Sequence, residues 1–395
     1  MSKMYHIGLA MIHDYEYARA VLRGVINYAR PTKPWIFHFT RYSADSFSTA
    51  LKSGIDGFIG NLSNPNSIAP IVESHKPFIN ISNHELNTTI PRIGVDDVRV
   101  GRMAARYFIE RGYKHFAFYG TPDLQYALDR QRGFGEELAG AGATFHSFGQ
   151  WLQARGERDC ENFGLIHEWL AALPRPLAVA AMNDRYALFL SEVCRNDGIA
   201  VPETLSILGC DNDAPICMTA FPTLSSIVIA GETIGYEAAA ALDGMLHGKP
   251  AIKESILVPP KNVVTRQSSD MLAIGDPELA AAVRYIRQHA GERISVTDVV
   301  LAGQVARRSL ERKFRVELGR SPQEEIRRAH LDTARELLAN TDLPMPAVAQ
   351  RSGFESAVRL TTVFREETGM TPTAFRRQFR LHEDGVEEPE VATAP

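Results

Sequence analysis

Short apolar segments alternate with longer amphipathic stretches over the first two thirds of the chain. Seven runs rich in β-branched and aromatic side chains predict strands at 6–11, 35–39, 57–60, 78–81, 116–119, 177–181 and 205–210. Strands separated by helical patterns are typical of a mostly parallel sheet covered by helices. Seven strands are too many for one small sheet. We therefore expect an α/β domain of two doubly wound lobes, with a ligand cleft at the carboxyl ends of the strands.

Near residue 276 the pattern changes to helical periodicity without strand signals. Asp276, followed by a proline, predicts the start of one helix. Ser321 and Glu324 form a predicted capping box in front of a longer helix. We therefore expect an α/β domain over residues 1–267 and an all-α domain over residues 276–382.

A nine-residue motif occurs twice in this helical segment. Residues 314–322 (FRVELGRSP) and 364–372 (FREETGMTP) share the pattern F-R-x-E-x-G-x-[ST]-P. A short apolar helix and a tight turn precede each copy, with the helices at 296–301 and 345–350. This arrangement predicts two helix-turn-helix units. A connecting helix of about 17 residues, roughly 25 Å long, suits second helices that enter successive major grooves of one duplex.

Charge is distributed unevenly along the chain, although the net charge is only -4. Residues 271–382 carry 18 basic and 14 acidic side chains, and all but one of the basic residues are arginines. Arginine suits phosphates and the edge of guanine. Residues 383–395 contribute five acids and predict a disordered acidic tail.

The outward-facing side chains of the two second helices are candidate base readers. In the first helix they are Arg307, Arg308, Glu311, Arg312 and Arg315, and in the second they are Ser356, Arg359, Thr361, Thr362 and Arg365. A charged stretch is more often only a solvated helix face. The duplication and the bias towards arginine favour DNA binding here.

Several kinds of site have no sequence signal. The four cysteines lack C-x-x-C spacing and the twelve histidines contain no H-E-x-x-H motif, so we expect neither a disulfide nor a metal. Complete phosphate-binding glycine motifs and a G-x-S-x-G elbow are also absent, so we expect no cofactor. No apolar run approaches the about 20 residues that span a bilayer. We therefore expect a cytoplasmic protein without a membrane partner.

Polar side chains stand where three predicted strands end, or shortly beyond. Asn183 and Asp184 follow one strand, Asp211 follows the next, and Arg130 lies about ten residues beyond another. Carboxylates, amides and guanidinium groups suit a sugar, whose hydroxyls both donate and accept hydrogen bonds. Alternatively, Asp184 and Asp211 only cap the helices that follow them. The residues alone leave both interpretations open.

Five segments resemble, in order, the effector domain of LacI-type repressors and the related periplasmic sugar-binding proteins. They are RIGVDDVRVGRMAARYFIERGYKHFAFYG (92–120), RQRGF (130–134), AAMNDRYAL (180–188), GIAVPETLSILGCDND (198–213) and PTLSSIVIAGETIGYEAAAALDGMLHG (222–248). The resemblance implies a two-lobed type I periplasmic-binding-protein fold in which Arg130, Asn183, Asp184 and Asp211 hydrogen-bond the effector. Asn80 stands where that family often has an acid. Because LacI-type repressors begin with a helix-turn-helix and this chain opens on a strand, we expect the DNA reader elsewhere.

The helical segment resembles the DNA-binding domain of the AraC/XylS regulators. ARRSLERKFRVELGRSPQEEIRRAHLDTARELL (306–338) and VAQRSGFESAVRLTTVFREETGMTPTAFRR (348–377) contain that family's signature. The resemblance implies an AraC-type double helix-turn-helix. Gln304 replaces the usual turn glycine and Ala306 the usual serine cap, so we expect the first unit to be the weaker one.

A LacI-like domain followed by an AraC-type domain resembles the xylose-operon type of sugar-responsive activator. This resemblance implies a homodimer that binds double-stranded DNA and a pentose effector such as xylose, with RNA polymerase as a further candidate partner. It also places His13 and Asp14 near the effector. Two alternatives stay open, a sugar-processing enzyme and a sugar-binding transport component.

Overall fold

The computed structural model describes residues 4–11, 14–30, 34–41, 43–62, 69–82, 90–270 and 276–379. They belong to two compact units, Met1–Asp270 and Met271–Pro395. His13 and the acidic segment 383–395 lie outside the described residues. Within the described ranges, no helix combines the length and the apolar character that crossing a membrane requires.

The first lobe of the first unit is a parallel sheet covered by helices. Its strands are β1 (Tyr5–Ala10), β2 (Trp35–Thr40), β3 (Gly57–Gly60), β4 (Phe78–Asn80), β5 (Ile93–Val95) and β11 (Ile256–Val258), and its helices are α1 (Glu16–Ala29), α2 (Ala44–Lys52), α3 (Ala69–Ser74) and α10 (Gly231–Leu246). The four-stranded sheet has the order β2-β1-β3-β4, and β5 pairs with β11 in parallel. Phe47, Phe58 and Phe78 pack with ring centroids 5.8 to 5.9 Å apart and form the centre of its core.

The second lobe contains a six-stranded sheet. Its strand order is β12-β10-β9-β8-β6-β7. The strands are β6 (His115–Tyr119), β7 (Phe145–Ser147), β8 (Leu177–Ala181), β9 (Leu205–Cys210), β10 (Ser225–Ile227) and β12 (Val263–Val264). The helices are α4 (Asp97–Ile109), α5 (Gln125–Gly140), α6 (Phe148–Ala154), α7 (Phe163–Ala171), α8 (Asp184–Asn196) and α9 (Ala214–Thr219). The core strands β8 and β9 are buried along their whole length, as parallel strands with helices on both faces must be.

The chain passes between the two lobes three times, from β5 to α4, from β10 to α10 and from β11 to β12. These connections place the amino end of α1, in the first lobe, against the loop after β9, in the second. The predicted two-lobed α/β fold is confirmed.

Over its described residues, 276–379, the second unit consists of helices joined by short connections, without strands. Its helices are α11 (Pro277–Gln288), α12 (Val296–Gly303), α13 (Arg307–Leu318), α14 (Pro322–Asn340), α15 (Met345–Arg351), α16 (Ala357–Thr368) and α17 (Pro372–Phe379). Two apolar cores form, one around α11 to α13 and the other around α15 to α17, and α14 contributes residues to both. The Asp276 cap and the Ser321–Glu324 capping box have the predicted geometry.

The glycine of the repeated motif ends a helix in each of the two helix-turn-helix units. Gly319 follows α13 with φ 67° and Gly369 follows α16 with φ 76°. This left-handed conformation is costly for residues with a Cβ and is typical of the position after a helix. The repeat is therefore explained by the same helix end being built twice.

Candidate functional site

Arg130 is the centre of a buried polar cluster in the second lobe. Its Nε donates to Asp97 Oδ1 at 2.7 Å, and its Nη1 donates to the carbonyl oxygen of Met182. Its Nη2 lies 3.7 Å from Asp211 Oδ1. One guanidinium group thus connects α4, the end of β8 and the loop after β9, and its side chain is only 6% exposed.

Close packing of α4 on α5 brings Arg130 to Asp97. A Cβ at Gly101 would lie 1.9 Å from the carbonyl oxygen of Arg130, and one at Gly133 would lie 1.9 Å from that of Val98. Only glycine allows two helices to approach with their backbones in contact. The glycines therefore position the ion pair without touching its charged atoms.

Asp211 has an unusual backbone conformation. Its φ is 106°, and the next residue, Asn212, has φ 52°. Two consecutive non-glycine residues in this region are strained, and such strain is concentrated at functional sites. Two side-chain hydrogen bonds stabilise the turn. Arg266 Nη2 donates to Asn212 Oδ1 at 2.8 Å, and Asn212 N donates to Ser226 Oγ at 2.9 Å. The turn presents the carboxylate of Asp211 to Arg130.

Asn183 caps α8, whereas Asp184 does not. Asn183 Oδ1 accepts from Tyr186 N at 3.1 Å, and its Nδ2 donates to Tyr126 Oη at 3.2 Å. Asp184 is 1% exposed, and its carboxylate accepts from Asp213 N at 2.7 Å. The alternative that Asp184 caps the following helix is therefore wrong, because the preceding amide does so.

The capping alternative is also wrong for Asp211. Helix α9 begins at Ala214, and its capping position is occupied by Asp213, two residues after Asp211. The carboxylate of Asp211 instead faces Arg130. Neither Asp184 nor Asp211 therefore uses its carboxylate to cap the helix that follows it.

Burial raises the pKa of three carboxyl groups in this cluster. It raises the pKa of Asp97 to about 6 and that of Asp211 to about 6, although Arg130 favours the charged form of both. It raises the pKa of Asp184 to about 8, and the negative charge of Asp211 adds to this shift. Hydrogen bonds from Ser226 and Asp213 oppose the rise. Near neutral pH burial thus favours the protonated form of Asp184 more strongly than that of Asp97 or Asp211.

The first lobe places residues beside the Arg130 cluster that the sequence motifs did not indicate. Tyr17 is half-buried, and its hydroxyl donates to the carbonyl oxygen of Ile81 at 2.6 Å. Burial raises the pKa of Tyr17, and the charges of Asp97 and Asp211 in the second lobe raise it further. Arg92, 9% exposed, also acts on this hydroxyl and lowers its pKa. A tyrosine one residue into a helix carries no sequence signal of its own.

Other residues near the predicted site have different positions. Asn80 holds backbone, since its Oδ1 accepts from Leu62 N at 3.1 Å and from Ser82 N at 2.9 Å. Asp14 is exposed in the turn before α1, and its carbonyl oxygen accepts from Arg19. Among the described contacts, none joins the carboxylate of Asp14 to the Arg130 cluster. The proposed role of His13 falls outside the described residues.

The first candidate DNA-reading helix, α13, presents an arginine-rich face. Leu310 and Phe314 are fully buried, while Arg307, Arg308, Arg312 and Arg315 are exposed. Arg307 Nε donates to Glu311 Oε1 at 3.0 Å. The turn before this helix departs from ideal geometry, because Gln304 has φ 50° and Ala306 provides no side-chain cap.

The second candidate reading helix, α16, is capped. Ser356 Oγ accepts from Arg359 N at 3.2 Å, and Leu360, Val363 and Phe364 are buried. Arg359, Thr362 and Arg365 are exposed, and Thr361 is half-buried. The hydroxyls of Thr361 and Thr362 donate to carbonyl oxygens one turn earlier in the helix.

Comparison with known proteins assigns both units. Residues 105–269 match the family model of a periplasmic binding protein-like domain, and residues 302–378 match that of a helix-turn-helix domain. The xylose operon regulatory protein of Haemophilus influenzae is 27% identical over 94% of this chain and 98% of its own. That of Escherichia coli K12 is 27% identical over 95% and 97%. The solved structure of a xylose-binding transcription activator is 26% identical, with a TM-score of 0.62 over 96% of this chain and 99% of that one.

These relatives match along nearly their whole length, and in this chain the periplasmic binding protein-like match precedes the helix-turn-helix match. They are regulators rather than enzymes, so the alternative of a sugar-processing enzyme is not supported. The chain is a DNA-binding transcription regulator that is similar along nearly its whole length to xylose operon regulatory proteins, with a periplasmic binding protein-like domain followed by a helix-turn-helix domain.

Proposed function

We propose that residues 1–267 bind a sugar in the cleft between the two lobes and that this changes how residues 276–382 bind double-stranded DNA. The observation that carries the proposal is the guanidinium of Arg130, held between Asp97 and Asp211 where the strands of the second lobe end. Fixed donors and acceptors on planar groups suit adjacent sugar hydroxyls. The half-buried hydroxyl of Tyr17 donates its proton to Ile81, and its oxygen adds an acceptor from the facing lobe.

The effector that we propose is a pentose, xylose. The support comes from the relatives named above, one of which is described as xylose-binding. Arg130, Asn183, Asp184 and Asp211 are the proposed hydrogen-bonding residues. Tyr126 offers an aromatic face beside them, with its ring centroid 5.0 Å from Arg130 Cζ. Such a ring packs against the C–H groups of a sugar.

The proposed output is activation of transcription by a cytoplasmic homodimer that contacts RNA polymerase. In each protomer, α13 and α16 would enter the major groove, where arginine grips guanine and threonine methyls contact thymine. A sugar shifts the equilibrium between open and closed lobes only by its different affinity for the two forms. Closure of the lobes is the change that we propose to pass to the DNA-binding unit.

Calorimetric titration of the full chain with xylose, ribose, arabinose and glucose tests the effector. We expect xylose to bind most tightly and Asp211→Ala to abolish binding without unfolding the chain. Asp159→Ala, an exposed acid of the same lobe, is the matched control and leaves the affinity unchanged. Fluorescence anisotropy with promoter DNA then tests whether xylose alters the affinity for DNA. Unchanged sugar affinity in Asp211→Ala contradicts the assignment of the pocket.

A further inference from the structure

The amino end of α1 is capped by a residue of the other lobe. Tyr15 occupies the capping position of this helix and makes no side-chain cap bond. The backbone N–H of Glu16 instead donates to Asp213 Oδ2 at 3.0 Å. A carboxylate at a helix amino terminus satisfies an orphan N–H and interacts favourably with the helix dipole. Here that stabilisation joins the first lobe to the second.

A charged side chain strengthens the same contact. Arg19 Nη2 donates to Asp213 Oδ2 at 2.9 Å, and Arg19 Nη1 donates to the carbonyl oxygen of Asp14 at 3.0 Å. Asp213 is 4% exposed, so water screens the pair weakly. Charge-assisted hydrogen bonds between lobes exist only while the two lobes are together.

Asp213 does not use its carboxylate for its own helix. It occupies the capping position of α9, yet its side chain makes no cap bond there. Its backbone N–H donates to Asp184 Oδ2 at 2.7 Å, and Ser226 Oγ donates to Asp184 Oδ1 at 2.5 Å. One residue therefore contacts both the buried acid of the cleft and the facing lobe.

We propose that Asp213 is a positioning residue that, through Asp184 on one side and Arg19 on the other, couples occupancy of the cleft to closure of the lobes. The inference rests on the proposed sugar site but needs no contact between Asp213 and sugar. The apparent dissociation constant of a ligand is its intrinsic value divided by the fraction of binding-competent protein. We call the contacts of Asp213 with Glu16 and Arg19 the latch. Loss of the latch lowers the fraction of binding-competent protein and weakens sugar binding from outside the pocket.

Two variants of the full chain test the latch, Asp213→Asn and Arg19→Gln, each compared with Arg23→Gln. Arg23 lies on the same helix and pairs with Glu16 and Glu232 within the first lobe. We expect each latch variant to raise the dissociation constant for xylose about 10- to 100-fold and the control to leave it unchanged. The double variant should weaken binding by less than the sum of the two single effects, because both variants remove the contact between Arg19 and Asp213.

Hydrogen exchange provides a readout that does not depend on sugar. We expect faster exchange of the Glu16 amide in sugar-free Asp213→Asn than in the unaltered chain, and unchanged exchange there in Arg23→Gln. A lower unfolding midpoint with unchanged sugar affinity in both latch variants would show a purely structural contact and overturn the inference. If the unaltered chain binds no pentose, the proposed function fails, and unchanged exchange of Glu16 would separately overturn the latch. Arg19→Gln, at a partly exposed position, keeps the test decisive if Asp213→Asn does not fold.

Discussion

Arg130 and Asp97 form a buried ion pair with 2.7 Å between Nε and Oδ1, and their side chains are 6% and 2% exposed. Burying two charges costs desolvation free energy that their mutual attraction only partly offsets. Such a pair adds little net stability, but removing one partner leaves the other charge in a poor environment. The pair therefore fixes the geometry of the polar cluster more than it stabilises the fold.

The first prediction follows from this asymmetry. Arg130→Ala should lower the free energy of unfolding by about 3–5 kcal/mol and abolish sugar binding. Chemical denaturation and calorimetry measure the two effects. Arg132→Ala is the control on the same helix, because its side chain is 59% exposed, and it should change stability by less than about 0.5 kcal/mol. Equal stability of the two variants would contradict the prediction.

The second prediction concerns pH. The pKa of Asp184 is raised from 3.8 to about 8, so the folded chain holds a proton that the unfolded chain releases above about pH 4. This contribution to stability is full below pH 4 and is lost as the pH rises through 8. Asp184→Asn removes the titrating group and should flatten the fall in unfolding free energy between pH 6 and pH 8. Urea denaturation at pH 6, 7 and 8 measures it, and equal slopes for both proteins would rule it out.

The strands show what could be predicted from the pattern of apolar residues. All seven predicted strands are present, and each observed end lies within one residue of its predicted position. The described part of the chain contains five more strands, β5, β7, β10, β11 and β12, which have only two or three residues each. Runs that short contain no complete alternation or apolar stretch, and their pairing depends on the neighbouring strands. Local pattern therefore identified the long strands and the fully buried three-residue β4, but not the other short ones.

The cleft shows a similar division. Arg130 and Asp211 were predicted because polar residues follow apolar strands, and the structure brings them together. Asp97, Tyr17 and Asp213 were not predicted, since each lies near the start of a helix where acids and aromatics are common. Their roles arise from the packing of the two lobes and of α4 on α5, which the order of residues along the chain does not reveal.

The third prediction concerns the turn of the first helix-turn-helix unit. Gln304 has φ 50°, a conformation that favours glycine. Gln304→Gly should therefore raise the free energy of unfolding of the C-terminal helical domain by about 1 kcal/mol. Thermal unfolding followed by circular dichroism measures the change. Gln350→Gly, inside α15, is the opposite control and should destabilise the unit by about 1 kcal/mol.

The fourth prediction concerns the missing cap of α13. Ala306 provides no side-chain acceptor, whereas Ser356 caps the corresponding helix of the second helix-turn-helix. Ala306→Ser should add about 1 kcal/mol to the free energy of unfolding of the C-terminal helical domain, and Ser356→Ala should remove a similar amount. Chemical denaturation of both variants checks the pair. Opposite signs support the inference that the first unit is the weaker one, and an unchanged Ala306→Ser variant contradicts it.

The last prediction tests base reading by α16. Arg359 is exposed near the amino end of this helix, behind the Ser356 cap, where a side chain reaches the edge of a base in the major groove. Arg359→Ala should cost about 1–3 kcal/mol of specific DNA binding and relax the preference at one base pair. Glu366→Ala, on the carboxyl-terminal half of the same helix, should not relax that preference. Anisotropy titrations with the operator and with single-base variants measure both. A contact to phosphate alone would weaken binding to all sequences equally, so a uniform loss would remove Arg359 from the base readers.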